Sequence, residues 1–353
     1  MRSLSGAEGL RANGRTAEAA NRIFTMANPN RIKHLRGSLR WPTAAEKILA
    51  SRVLDVFSRE AGVREGSDPE AVHDIRVALR RLQAALRMFG ACYPPKKLRR
   101  YRLRLRKLLQ ALGAVRDQDI LIDALSHHEK SCPEAVKEAL ARLVAQRRTV
   151  QQQERVKSLL LLDKLQRANF AENLLSFVKG ARAFKRAQLK GRFSAEAAAM
   201  AQQALADWNE RRKQVQGGDD PETLHQMRIA VKRLRYALEL SRLGSEDVYQ
   251  GCLGRLTEMQ QVLGNLRDAD MVLECLASSL SQAPVEAIEG LADIMRTTKQ
   301  KRQDLARRFS KLISSRNLGP LKLAAKVPTG VPPSRSPRRR QTALPGQALA
   351  HRR

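Results

Sequence analysis

The chain has 353 residues, 42% hydrophobic and 4% aromatic, with 66 Lys+Arg against 35 Asp+Glu and a formal net charge of +31. That apolar fraction is enough for a folded core, but no stretch approaches the roughly 20 apolar residues of a membrane span. Cys92, Cys132, Cys252 and Cys275 show no Cys-x-x-Cys spacing, which argues against a zinc ribbon or disulfide scaffold and fits a reducing cytoplasm.

Residues 1–40 are basic and poor in apolar side chains, and are expected to be disordered. The Pro/Arg-rich stretch 319–353 is expected to be a disordered tail. Residues 1–40 and 327–353 carry +6 each, so +19 of the +31 remains on residues 41–326. The folded part is therefore itself a polycation, which attracts polyanions.

From Pro42 to Ser315 the apolar residues recur with a 3.6-residue period and no strand-like alternation. The expected fold is all-α. Punctuation at Gly62–Pro69, Gly90–Pro95, Gly113, Pro133, Gly191, Gly217–Pro221, Gly244, Gly264 and Pro284 predicts four to five helices in each of two halves, about 41–190 and 194–318.

The halves repeat each other. Asp68-Pro69-Glu70-Ala71-Val72-His73-Asp74-Ile75-Arg76 matches Asp220-Pro221-Glu222-Thr223-Leu224-His225-Gln226-Met227-Arg228 at an offset of 152. Leu112-Gly113-Ala114-Val115-Arg116-Asp117-Gln118-Asp119 matches Leu263-Gly264-Asn265-Leu266-Arg267-Asp268-Ala269-Asp270 at an offset of 151. Two motifs in the same order at nearly one offset imply a duplicated unit with pseudo-twofold packing.

Each first motif opens a helix, with Asp68 or Asp220 as N-cap and Pro at the first helical position. At 100° per residue, His73, Arg76, Arg80 and Arg87 share one face, opposite Ile75, Leu79, Leu82, Leu86 and Phe89. His225, Arg228, Lys232 and Arg235 form the same stripe opposite Met227, Val231, Leu234 and Leu238. A solvated face normally mixes signs. These stripes carry cations without an intervening acid, and Arg donates paired hydrogen bonds to phosphate. If the stripes meet they form one basic groove, suited to a long polyanion. The two histidines either contact phosphate oxygen or position the arginines.

The second motif is expected to close a helix at Gly113 or Gly264. Asp117 and Asp268 then either cap the next helix or pair with Arg116 and Arg267, and those arginines are candidates for the groove. On the helix before Gly113, Arg104 and Lys107 share a face that is also expected to join it.

The paired motifs resemble the CHAD family, the conserved histidine α-helical domain, over about residues 41–318. The family pattern is His-x-x-Arg-x-x-x-Arg-Arg-Leu-Arg followed by Leu-Gly-x-x-Arg-Asp-x-Asp, each occurring twice. The resemblance implies two four-helix bundles related by a pseudo-twofold around a basic central channel. It also implies binding of inorganic polyphosphate and recruitment to polyphosphate granules. His73, Arg76, Arg80 and Arg81, with His225, Arg228, Lys232, Arg233 and Arg235, would then contribute to the site. Gln83 stands where the pattern has Arg, a charge that Arg87 would restore one turn later. Lys232 replaces an Arg and lacks its bidentate fork. The Glu-x-Glu-x-Lys strand of the triphosphate tunnel domains fused to some members is not found here, so a free-standing, non-catalytic and cofactor-free binder is expected.

Catalysis and nucleic-acid binding are the rival functions. Phosphoryl transfer calls for metal-holding carboxylates or an activated nucleophile. The chain has no Gly-x-x-x-x-Gly-Lys-[Ser/Thr] loop, the His73-Asp74 dyad becomes His225-Gln226 in the second half, and His127-His128 has no matching partner. Nonspecific nucleic-acid binding is permitted by charge alone, but single-strand readers add aromatic platforms, and here Trp and Tyr are few and dispersed.

Overall fold

The computed structural model describes residue 32 and residues 35–129, 132–183, 191–215, 220–242 and 250–314. The sequence expectations for most of 1–40 and for 319–353, and the punctuation at Gly217 and Gly244, lie outside these residues. The described residues form α1 (Trp41–Phe57), α2 (Glu60–Glu65), α3 (Pro69–Met88), α4 (Pro95–Glu129), α5 (Glu134–Arg167), α6 (Phe170–Val178), α7 (Phe193–Gln214), α8 (Pro221–Arg242), α9 (Gln250–Ser279) and α10 (Val285–Ile313). No strand occurs among them. None of these helices is long and apolar enough to cross a membrane.

The repeat is visible helix by helix. α1, α3, α4 and α5 correspond to α7, α8, α9 and α10, with α2 and α6 as short additions to the first half. Each of the four helices touches its own mate: α1 packs on α7, α3 on α8, α4 on α9 and α5 on α10. A twofold axis through the molecule has that consequence. At the entry to the repeats, Arg40 and Arg192 pair as an antiparallel bridge. Trp41 N–H donates to Gly191 O (3.1 Å) and Phe193 N–H donates to Leu39 O (2.8 Å). These positions are 152 apart, so the chain meets its own copy on the pseudo-axis.

The apolar positions form three clusters. Trp41, Ile48, Leu79, Leu82, Phe89 and Phe170 are the heart of the first, which also takes in Phe193 and Leu240. Trp208, Met227, Val231, Leu234, Leu256 and Phe309 build the second. The third joins the α4–α5 and α9–α10 hairpins, packing Leu125 and Leu140 against Leu276 and Leu291. Pro133 and Pro284 stand at the N-caps of α5 and α10, in equivalent positions.

Two expectations fail. α4 runs unbroken through Gly113 and α9 through Gly264, so neither glycine ends a helix. Glycine costs a helix interior only about 1 kcal/mol, which packing of a long apolar face overrides. The first half also has more helices than expected, because α2 and α6 are single short segments with too few residues to show a period.

Candidate functional site

The phase of the two central helices is set at their starts. Asp68 Oδ1 accepts from Glu70 N–H (2.8 Å), and Asp220 Oδ2 accepts from Thr223 N–H (2.8 Å) and its hydroxyl (2.7 Å). From those caps, Ile75, Leu79, Leu82 and Leu86 on α3 with Phe89 at its C-cap, and Met227, Val231 and Leu234 on α8, are fully buried. The opposite faces are thereby turned outward from each half-core. α3 packs on α8, and residues of the two cationic faces lie close enough to act on one another.

The electrostatics record that convergence. Loss of hydration, then Arg80, Arg116 and Arg228, push the Arg76 guanidinium down to about 10, with Asp117 opposing. Arg228 is lowered by burial and by Arg80 and Arg267, against Asp268 and Asp117. Lys232 is the extreme case: burial together with Arg228, Arg80, Arg76 and Arg235 drives its amine down to about 6. His73 is lowered by burial and then by Arg116. Among the described residues Arg76, Arg80, Arg228 and Lys232 make no hydrogen bond or ion pair, although each is at least partly withdrawn from water. Three half-buried guanidinium groups that Asp117 and Asp268 act on only at a distance, with an amine that can take up a proton beside them, are an arrangement that can accept an anion.

Gly113 has a different role from the one its motif suggested. A Cβ there would sit 2.6 Å from Arg76 Nη1, so the bare backbone of α4 is where the guanidinium rests. At Gly264 a Cβ would meet nothing within 4 Å. The adjacent face of the second repeat is correspondingly open: a cavity of about 630 Å³ lies between α8 and α9, lined by His225, Arg228, Leu263, Leu266 and Arg267 among others. His225 is exposed whereas His73 is half-buried, so one motif residue occupies two environments.

The motif aspartates divide the work. Asp117 and Asp268 sit within helices and act on Arg76 and Arg228, so they cap nothing. Asp268 itself is raised by burial, outweighing Arg228 and Arg116. Asp119 and Asp270 tie each hairpin together: Gln151 donates to Asp119, and Arg302 donates to Asp270 (2.5 Å). Arg116 lies 3.6 Å from Glu70 and 3.9 Å from Asp119, and Arg267 lies 3.7 Å from Glu274, so both belong to the rim and are partly neutralised there.

Four residues expected in the groove are placed elsewhere. Arg81 and Arg235 are buried and converge on Glu239 (3.7 and 2.8 Å), with Arg235 also donating to Gln260 (2.8 Å). They form an internal ion cluster across the α3–α8 contact. Arg104 and Lys107 face α5, bordering a small cavity with Lys164, Leu161 and Leu165, and Arg104 lies over the Phe170 ring at 5.8 Å. Arg102 and Arg106, on the opposite flank of the buried Leu105–Leu108 stripe, are the α4 cations that reach Arg87. A helical wheel separates those flanks but does not tell which one meets α3. Arg87 and Arg233 are both exposed, at the end of this contact.

The CHAD domain model matches residues 47–240 and 199–353. Among solved structures, the chain is similar to the crystal structure of the CHAD domain from the plant Ricinus communis, with 24% identity and a TM-score of 0.65, covering 82% of this chain and 97% of that one. It is also similar to PptA from Streptomyces chartreusis, with 16% identity and a TM-score of 0.59, covering 78% of this chain and 99% of that one. No curated protein matches it.

Proposed function

Given that the chain belongs to the CHAD domain family and that its two cationic stripes meet where α3 packs on α8, we propose that it binds inorganic polyphosphate, without chemical change, in the groove between those helices. The observation that carries this reading is Lys232. Its amine is half-buried, and four like charges hold it down to about 6. A bound polyanion would offset the repulsion among Arg76, Arg80 and Arg228 and let Lys232 take up a proton. Arg76 and Arg87 are eleven residues apart on α3, about 16 Å at 1.5 Å per residue, a span that suits a polymer better than a single phosphate.

The arginine-rich lining supports reading the site as non-catalytic. Arg stays protonated and serves as a fixed donor rather than an acid or base. The carboxylates there, Asp117 and Asp268, are engaged electrostatically with Arg76 and Arg228. Among the described residues Trp41, Trp208 and Tyr93 are buried in the cores, Tyr236 is almost covered, and Tyr101 packs against Phe170 and Phe177, so none of them offers the groove a base-stacking platform. Polyphosphate is therefore preferred over nucleic acid, and residence on polyphosphate granules in the cytoplasm is the cellular expectation.

The test is competition at physiological salt between long-chain polyphosphate, DNA and pyrophosphate. Polyphosphate should displace labelled DNA at far lower phosphate concentration than the converse, with no release of orthophosphate. Arg76→Gln with Arg228→Gln should weaken polyphosphate binding strongly and make it less salt-dependent, with the helical circular dichroism unchanged. Equal displacement by DNA, or affinity untouched by those two substitutions, overturns the reading.

A further inference from the structure

The duplicated fold invites a symmetric groove, but the charges do not obey the symmetry. α3 packs on both α4 and α8, and near its C-terminal end the exposed Arg87 lies within electrostatic reach of Arg233 from α8 and of Arg102 and Arg106 from α4. Arg102 and Arg106 are four residues apart, so they stack on one face of α4. Partial loss of hydration, then Arg102, Arg233 and Arg106, lower Arg87, and Tyr236 rather than a carboxylate opposes them. None of the four makes an ion pair or hydrogen bond among the described residues. The pseudo-twofold operation carries Arg87 onto Glu239, Arg102 onto Leu253 and Arg106 onto Thr257, and pairs Arg233 with Arg81. On that side Glu239 neutralises Arg81 and Arg235 in the interior. One arm of the molecule therefore presents four uncompensated guanidinium groups, and the symmetry-related arm presents none from the equivalent positions.

We propose that the polyphosphate track is one-armed: from the Arg76–Arg228 centre the polymer leaves over Arg87 and Arg233 onto Arg102 and Arg106, and has no matching exit through the second repeat. This rests on the proposed polyphosphate binding and adds Arg102 and Arg106 as binding residues of that site. It divides the site into a centre, large enough for a short chain, and an arm that only a longer chain reaches. The arm, rather than the centre, then makes the protein favour long polymers over short ones.

The experiment compares Arg102→Gln/Arg106→Gln with Arg104→Gln/Lys107→Gln, using long-chain polyphosphate and tripolyphosphate as probes. Both double variants remove two positive charges from α4, but from opposite flanks. The first should lose about tenfold or more in affinity for the long chain, as expected for two charge-assisted contacts, and should reduce the salt slope by about 1.4 if each contact counts as on a single strand. It should leave tripolyphosphate binding unchanged. The second should alter neither by more than about twofold. Equal losses in both variants would mean that net charge alone matters, and the arm would be refuted. No loss in the Arg102/Arg106 variant, while Arg76→Gln/Arg228→Gln still weakens binding, refutes the arm but leaves the central site standing. Failure of the unaltered protein to bind either probe removes the function and the track together.

Discussion

The Arg76 guanidinium rests on the backbone of α4 at Gly113, where a Cβ would come within 2.6 Å of Nη1. The obstructing atom is the end of a flexible side chain, so Gly113→Ala should displace Arg76 rather than the helix. Alanine also improves a helix interior by about 1 kcal/mol. The variant should thus be as stable as the parent or more so, yet bind polyphosphate several-fold more weakly. Gly264→Ala meets open space and should stabilise without loss of affinity. Thermal unfolding and polyphosphate titration of the two variants check the contrast. Loss of stability in both would contradict it.

Lys232 should make the proposed binding pH-dependent with a defined sign. Its amine is held down to about 6 by burial and by Arg228, Arg80, Arg76 and Arg235, so in the free protein it is mostly neutral at pH 8. A bound polyanion restores its affinity for a proton. Affinity should therefore rise as pH falls from 8 to 6, with net proton uptake at pH 7–8 visible as a buffer-dependent heat of binding. His73, lowered by burial and Arg116, contributes in the same direction. Lys232→Arg should bind more tightly at pH 8 and keep only the histidine part of the pH slope. Identical pH profiles in parent and variant would rule the coupling out.

The same residue ties folding to pH. Between about 6 and its ordinary 10.5 the unfolded chain holds a proton on Lys232 that the folded chain does not. By linkage, its contribution to stability grows as pH rises through that window. The rise in melting temperature from pH 7 to pH 9, without ligand, should be larger in the parent than in Lys232→Met.

Glu239 is the counter-charge for two buried arginines, Arg81 and Arg235. Glu239→Gln removes the carboxylate that both interior guanidinium groups share, and breaking a buried pair costs about 3 kcal/mol or more. The midpoint of denaturant unfolding should drop accordingly, although the substitution removes a negative charge from a strongly basic protein. A protein made more stable by that change would show that general repulsion outweighs the local cluster.

Trp41 is fully buried on the pseudo-axis, with ring centroids 4.4 Å from Phe89 and 5.9 Å from Phe193. Its indole N–H has no hydrogen-bond partner among the described residues, and its repeat mate is Phe193. Trp41→Phe should therefore cost only about 1 kcal/mol, since it loses volume but no hydrogen bond, whereas Trp41→Ala should cost about 3–5 kcal/mol through the cavity it leaves. Equilibrium unfolding of both variants tests this.

The helical class, the duplication, the capping aspartates and the buried faces of α3 and α8 were all legible in the residues. Each depends on local spacing: 3.6 residues per turn places Ile75, Leu79 and Leu82 on one side and His73, Arg76 and Arg80 on the other whatever the surroundings. What local spacing could not supply was the choice between flanks and the identity of partners distant in sequence. Arg102 and Arg106 rather than Arg104 and Lys107 reach Arg87 because α4 is rolled against α3 by packing of its leucines. Arg81 and Arg235 turn inward because Glu239 waits across the helix contact. Gly113 serves Arg76 because α4 passes beneath α3. Periodicity along one helix therefore specified which side chains travel together; the docking of one helix on another, a matter of three-dimensional packing, decided which of those groups pairs with a carboxylate and which does not.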